Sequence, residues 1–326
     1  MIEHVPDTVL RGAIRANCAR RLAGERLRGD AGQEAFLREL RAAPIAEQVE
    51  KPNEQHYEVP VDLFRLVLGP RLKYSCCLWP AGVRTIAEAE DAMLRLTCAR
   101  AGVEDGMEIL DLGCGWGSLT FWLAERYPSA RVLAVSNSRL QREWIEEEAR
   151  RRGLGGIEVR TADANVFDPG RRFDRVLSVE MMEHARNYPE LLRRVSSWLE
   201  PDGRLFVHVF SHHRFAYPFR AGWMAKHFFT AGTMPSHDLL PSLADGLELE
   251  ERWAVDGSHY AKTSEAWLDR LDERQGAVLS VLADRYGGEA RRRLQMWRIF
   301  FMACAELWGF RGGREWGVSH YRFARA

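Results

Sequence analysis

The stretch at 107–117, MEILDLGCGWG, constrains this chain more than any other. Ile109, Leu110 and Leu112 form an apolar run that passes through Asp111 and breaks into Gly113, Gly115 and Gly117, after which SLTFWLAERY resumes at helical spacing. This is the pattern of a strand, a tight turn and a helix. Glycine at alternate positions removes side chains where the backbone bends sharply and comes close to a ligand, and the helix that follows offers free N–H groups at its start. The spacing is G-x-G-x-G, with Ser118 where the dinucleotide fingerprint needs its third glycine.

Strands alternate with helices beyond this turn. RVLAVSNS, IEVRTADA, the stretch 173–179 and RLFVHVF read as strands two to five, with helices at 140–152 and over YPELLRRVSSWL. That alternation predicts a mostly parallel sheet with helices on both faces, whose ligands bind at the carboxyl ends of the strands. The segments 113–117, 136–138, 163–165, 180–184 and 211–213 therefore converge on one crevice. LELEERWAV and VSHYRFA read as two further strands, seven in all. Between them, helices at about 263–285 and 288–307 form an insertion, about 258–313, too long for a plain connection.

Ahead of the turn, apolar residues recur at helical spacing from Asp7 to about Leu27 and again at Phe36, Leu37 and Leu40. They predict a helical arm and linker over 1–52, followed by one main domain over 53–326. A short helix is expected from Val61 to Leu68, opened by Pro60 and stopped by Gly69 and Pro70, and Thr85 with Glu88 has the spacing of a capping box. From Phe215 to Met234, aromatic residues broken by glycines predict a partly buried lid within about 211–246.

Charge narrows the function classes. Lysine plus arginine and aspartate plus glutamate balance at 46 each, and the first fifty residues form no basic arm. This argues against nucleic-acid or anionic-membrane partners, which need a concentrated positive surface. No apolar run approaches the ~20 residues of a membrane span. Six cysteines without C-x-x-C spacing, and no signal-like start, make a reduced, cytoplasmic location the expectation. His208, His212 and His213 have no carboxylate or cysteine at ligand spacing, so no metal is expected and the three read as an exposed strand end near the crevice.

The full D-x-G-x-G-x-G after a strand resembles motif I of class I S-adenosylmethionine (SAM) methyltransferases, a Rossmann-like fold. Longer stretches, among them the segment from His56 to Pro80, VSNSRLQREWIEEE, FDRVLSVEMMEHARNY, FFTAGTMPS, HYAKTSEAWLDRLD and WRIFFMACAELWGF with REWGVSHYRF, resemble the cyclopropane fatty acid synthase superfamily. Within it, they are similar to the plant coclaurine and pavine N-methyltransferases. The resemblance implies that Tyr74 and Ser75 meet the amino acid end of SAM together with the backbone around Gly113 and Gly115, that Ser136, Asn137 and Gln141 contact its ribose, that Asp163 and Ala164 meet adenine, and that Asp111 belongs to the same cofactor-binding set. It makes 53–326 the catalytic domain.

The same resemblance assigns the chemistry to Glu180, Glu183 and His184 after the fourth strand. A carboxylate there holds an incoming amine while an imidazole takes its proton. In cyclopropane synthases a Glu and His pair matching Glu183 and His184, with residues matching Cys76 and Tyr260, holds a bicarbonate ion. Glu180 distinguishes the two chemistries, because lipid-modifying members have glycine there and an extra carboxylate beside an acyl chain is costly. The expected reaction is N-methylation of a small amine with an aromatic portion, giving S-adenosylhomocysteine (SAH). A cyclopropane synthase or methyltransferase acting on unsaturated phospholipid acyl chains, which would need bicarbonate, is the alternative, and a non-catalytic SAM-binding protein is a third. Cys76, Trp223, Phe228, Tyr260 and Trp316 are expected to wall the substrate pocket, with about half of the aromatic rings of the lid and C-terminus belonging to the core alone. The natural amine stays open, as does assembly, for which a homodimer is one expectation.

Overall fold

A computed structural model describes residues 5–46, 59–220, 222–229 and 232–326. Pro52, the NEQH stretch, His56 and the 52/53 boundary lie outside these residues, as do Thr230 and Ala231 of the FFTAGTMPS stretch.

The chain begins with α1, Asp7–Ala42, which Gly29 breaks with φ 55° and ψ −158°, so the two expected arm helices form one kinked run. α2 is Val61–Val67 and α3 is Ile86–Ala101, the latter opened by a complete Thr85–Glu88 capping box and closed by left-handed Gly102. Such a cap stabilises a helix by about 1 kcal/mol. Next come β1 Glu108–Leu112, α4 Ser118–Arg126, β2 Arg131–Ser136, α5 Arg139–Arg152, β3 Ile157–Thr161 and β4 Phe173–Val179. α6 is Tyr188–Trp198 and β5 is Leu199–His212, followed by the short lid elements β6 Tyr217–Pro218, α7 Trp223–His227 and β7 Thr233–Met234. The sheet is completed by β8 Leu247–Val255 and β9 Trp316–Arg325.

Strand order is β3-β2-β1-β4-β5-β9-β8, with β9 antiparallel to both neighbours and the pairs among β1 to β5 parallel. Side chains alternate across the sheet. On one face Leu110, Leu133 and Val176 pack with Leu192 and Val195 of α6, and with Phe36 and Leu40 of the arm; on the other, Ile109 and Leu177 pack with Leu94, Leu119 and Leu123. Full burial of each such side chain stabilises the fold by about 1.5–3 kcal/mol.

The insertion differs from expectation. Instead of two helices it holds three, Gly257–Glu273, Gln275–Tyr286 and Ala290–Trp308, because Arg274 leaves helical angles (φ −110°, ψ 23°) just before Gly276, a weak helix former. β5 also starts at Leu199 rather than Arg204, where Leu199 pairs with Phe173 across a bulge.

The arm is docked by ion pairs with the far end of the chain. Arg11 meets Glu265 at 2.5 Å and Glu306 at 3.0 Å, Arg15 also meets Glu306, and Arg298 bridges Asp7 and Asp272 at 2.8 and 2.7 Å. At its other end Glu39 pairs with Arg186, whose side chain is only 4% exposed. Asn187, the cap of α6, donates to the carbonyls of Arg41 and Ala43.

Candidate active site

A cavity of about 800 Å³ opens at the carboxyl ends of β1, β2 and β4. All nine residues expected to bind the cofactor border it: Tyr74, Ser75, Asp111, Gly113 and Gly115 on one side, Asn137, Gln141, Asp163 and Ala164 on the other.

The glycine turn is built by close approach. Gly113 has φ 90°, and a Cβ there would fall 2.5 Å from Met181 Cγ. Gly115, at φ 53°, would point a Cβ into open space, which is the room a ligand needs against bare backbone. Asp111 is 1% exposed and accepts from Thr120 Oγ1 at 2.7 Å, and burial raises its carboxyl to about 6. Ser136 Oγ donates to Gln141 Oε1 at 2.6 Å, which fixes the side chain expected at the ribose. Asp163 holds its own turn, accepting from the backbone N–H and side-chain amide of Asn165 at 2.8 and 3.0 Å. Asn165 in turn exchanges two bonds with Ala46, tying the end of the arm to the cavity rim. Lys73, 2% exposed, donates to Ser75 Oγ, and the Tyr74 ring packs between Phe64 and Trp267.

Glu180, Glu183 and His184 border the same cavity. Glu180 does not begin a helical turn: it takes φ 47°, a left-handed conformation uncommon outside glycine, and a 3₁₀ turn at Met182–His184 follows. Its carboxylate is held from three sides. Oε1 accepts from the Cys76 N–H at 2.9 Å and from His208 Nε2 at 3.2 Å, while Oε2 accepts from the Tyr260 hydroxyl at 2.5 Å. Behind His208, its Nδ1 lies 2.9 Å from His320 Nε2, and His320 Nδ1 lies 2.7 Å from Arg100 Nη1.

Glu183 is 1% exposed, and its Oε2 has no hydrogen-bond partner. Burial and the adjacent Glu180 push its carboxyl well up. Burial pushes Glu180 up too, but Lys73, the Cys76 N–H and the Tyr260 hydroxyl oppose it, so a proton shared by the pair rests on Glu183. His184 packs against the Phe229 ring, tilted by 31° with centroids 4.8 Å apart, and burial lowers it to about 4, leaving a neutral imidazole at the cavity wall.

The substrate-wall expectations divide. Trp223 and Tyr260 line the cavity, as do Phe229 and Trp308. Cys76, Phe228 and Trp316 do not. Cys76 is fully buried with Sγ turned to the Cys77 carbonyl, and it serves through its backbone N–H. Phe228 stacks on Phe300 at 4.5 Å within the helical core, and Trp316 donates Nε1 to Tyr217 Oη at 2.7 Å, 1% exposed. The expected exposed strand end is also corrected: His208 and His212 are 0% and 1% exposed because β5 is an interior strand of the sheet, with the His320 ring against His208 and those of Phe215 and Trp316 against His212, and only His213 of the three is exposed. Sequence reasoning did not foresee that Cys18, Arg21 and Glu25 of the arm wall the cavity, along with Lys73 and Tyr217. The apolar stripe through Cys18 and Leu22 signalled only that the arm packs against something.

Among the described residues no group of three His, Cys, Asp or Glu side chains is arranged to hold a metal ion, and no helix is long and apolar enough to cross a membrane. The family described as Mycolic acid cyclopropane synthetase matches residues 46–314. (S)-coclaurine N-methyltransferase of Thalictrum flavum subsp. glaucum is 38% identical over 334 residues, 98% of this chain and 92% of that protein. Cyclopropane-fatty-acyl-phospholipid synthase of Escherichia coli is 28% identical over 267 residues, 81% of this chain and 66% of that one. The solved structure of coclaurine N-methyltransferase bound to N-methylheliamine and SAH superposes with a TM-score of 0.95 at 36% identity, over 99% of this chain and 97% of that chain.

Proposed function

From its membership of the mycolic acid cyclopropane synthetase family, to which this chain belongs, we propose that this SAM-dependent methyltransferase methylates the nitrogen of a small aromatic, alkaloid-like amine. The relatives of similar length are named for N-methylation of coclaurine and pavine. The single observation that carries the reading is the seating of Glu180. Its carboxylate engages the Cys76 N–H and the Tyr260 hydroxyl, two positions that the family resemblance gives to bicarbonate in lipid enzymes. A protein carboxylate there favours a cationic or hydrogen-bonding amine, whereas an acyl chain beside it would leave a buried charge unpaired.

The residues expected at the cofactor fit SAM, since the cavity meets bare backbone at Gly115 and polar groups at Gln141 and Asp163. When bound, SAM supplies an electrophilic methyl group whose sulfonium charge is lost on transfer. Glu180 orients the amine and favours the positive charge that develops on its nitrogen. His184, neutral at pH 7, accepts the proton that leaves that nitrogen. Trp308, stacked on Tyr260 at 4.7 Å and 1°, and Phe229 give flat apolar walls for an aromatic ring. The six free cysteines accord with a reducing, cytoplasmic setting.

Incubation of the purified protein with methyl-labelled SAM and, separately, tetrahydroisoquinoline-type amines and unsaturated phospholipid tests this reading. Label is expected in an amine. Label in lipid with none in any amine would overturn it in favour of the lipid chemistry.

A further inference from the structure

One of the three donors to Glu180 has its role set from outside the cavity. A guanidinium carries no acceptor, so Arg100 Nη1 donates to His320 Nδ1. His320 then bears its proton on Nε2 and donates to His208 Nδ1, which leaves His208 protonated on Nε2 and donating to Glu180 Oε1. Reversing either histidine alone would set two protons or two lone pairs face to face. Both imidazoles are 0% exposed, and burial holds both well below the usual histidine range, so neither escapes this logic by becoming a cation.

From this geometry we infer that Arg100, at the end of α3, is a positioning residue: through His320 it locks His208 as a donor, keeping Glu180 a carboxylate and removing His208 as an acceptor for the substrate's proton. His184 is then the base. The inference rests on the reading of Glu180 as the group that holds the amine. Lys73, Cys76 and Cys77 face Glu180 from the segment before α3, and Glu183 and His184 from its own turn. Tyr260 and Cys304 face it from the helical insertion. None of these is substituted when Arg100 is replaced, so a change in titration accompanied by a change in the His208 tautomer reports the histidine chain and not the lost charge of Arg100 alone.

Without the Arg100 donor the proton on His320 can move to Nδ1, the chain reverses, and His208 turns a lone pair toward Glu180. That lone pair is satisfied only by a protonated carboxyl, so Glu180 holds its proton to higher pH. The test is kcat/KM against pH for wild type, Arg100→Met and Arg100→Lys with one amine, together with ¹⁵N spectra of histidine-labelled wild type and Arg100→Met. The wild type is expected to show His208 protonated on Nε2 alone. In Arg100→Met the acid limb is expected to move up by about one pH unit, a roughly ten-fold loss at the acid end with SAM affinity unchanged. Arg100→Lys, which restores a donor, should follow the wild type. Wild-type His208 protonated on Nδ1, or superimposable pH profiles for wild type and a folded Arg100→Met, would overturn the inference. The spectrum of the wild type decides the matter even if Arg100→Met does not fold. If Glu180→Gln turns over like wild type, the functional reading itself fails; if it is inactive while Arg100→Met keeps the wild-type profile, only the role of Arg100 fails.

Discussion

Tyr260 donates its hydroxyl proton to Glu180 Oε2 at 2.5 Å, joining the helical insertion to the end of a strand eighty residues earlier. The Tyr260 ring lies flat on Trp308, so the insertion, not the sheet alone, sets the angle of the carboxylate. Tyr260→Phe keeps the ring and its stacking and removes only the donor. A hydrogen bond to a charged group contributes about 1.5–3 kcal/mol, so kcat/KM for the amine should fall about 10- to 100-fold. Steady-state kinetics, with a thermal melt to confirm an intact fold, checks this.

Glu180→Gln keeps one carbonyl oxygen, an acceptor for the Cys76 N–H, but loses the charge and sets an amide N–H donor against the Tyr260 hydroxyl. Turnover of the amine is expected to drop about 10²- to 10³-fold. Calorimetric titration should find SAM affinity within about two-fold of wild type, since none of the residues expected at the cofactor bonds the Glu180 side chain.

Gly113→Ala sets a Cβ against Met181 in a backbone conformation with φ 90°. Strain of this kind costs about 1–3 kcal/mol. Displacement of Met181 also disturbs the turn that carries Glu183. Weaker SAM binding, by about ten-fold or more, and a lower melting temperature are both expected.

His212 gives a pH dependence of stability. Its Nδ1 accepts the backbone N–H groups of Arg214 and Phe215, both at 2.9 Å, and burial lowers it to about 4, with Glu315 opposing. Between pH 6.5 and 4 the unfolded chain binds a proton that the folded chain refuses, so this contribution to stability is present above about 6.5 and is lost as pH falls toward 4. The loss amounts to about 3 kcal/mol at full protonation. His212→Asn keeps an acceptor and does not titrate there, so urea unfolding of the variant should vary less across that window than that of the wild type.

Local signals made much of the fold legible. The glycine turn, the Thr85 cap and β4 at Phe173–Val179 stand where spacing and residue type predicted them, because each is decided within a few neighbouring residues. The cofactor and catalytic positions carried over by resemblance all border one cavity. What was not legible depended on partners distant in the chain. His208 and His212 read as exposed because nothing near them announces that β9 will pair beside β5 and bring His320 and Trp316 against them. Phe228, Trp316 and Trp223 are alike as aromatic residues, yet only Trp223 reaches the cavity, a difference set by how the insertion packs. Cys76 was read by its side chain when its backbone makes the contact with Glu180.

The ion pairs that dock the arm also fix an order of events during synthesis. Arg15 and Glu306, like Asp7 and Arg298, are 291 residues apart, so the arm's wall of the cavity cannot close until the helix Ala290–Trp308 has been translated. At about 5–20 residues per second the arm waits roughly 15–60 s for its partners, with Cys18 and Leu22 uncovered. A nascent chain stalled before Glu306 would hold the glycine turn and β1 to β5 but leave the cavity without its arm wall, and protease pulses on arrested ribosomes would find the part of α1 ahead of Gly29 protected only after that helix emerges, the part beyond it docking earlier on α6.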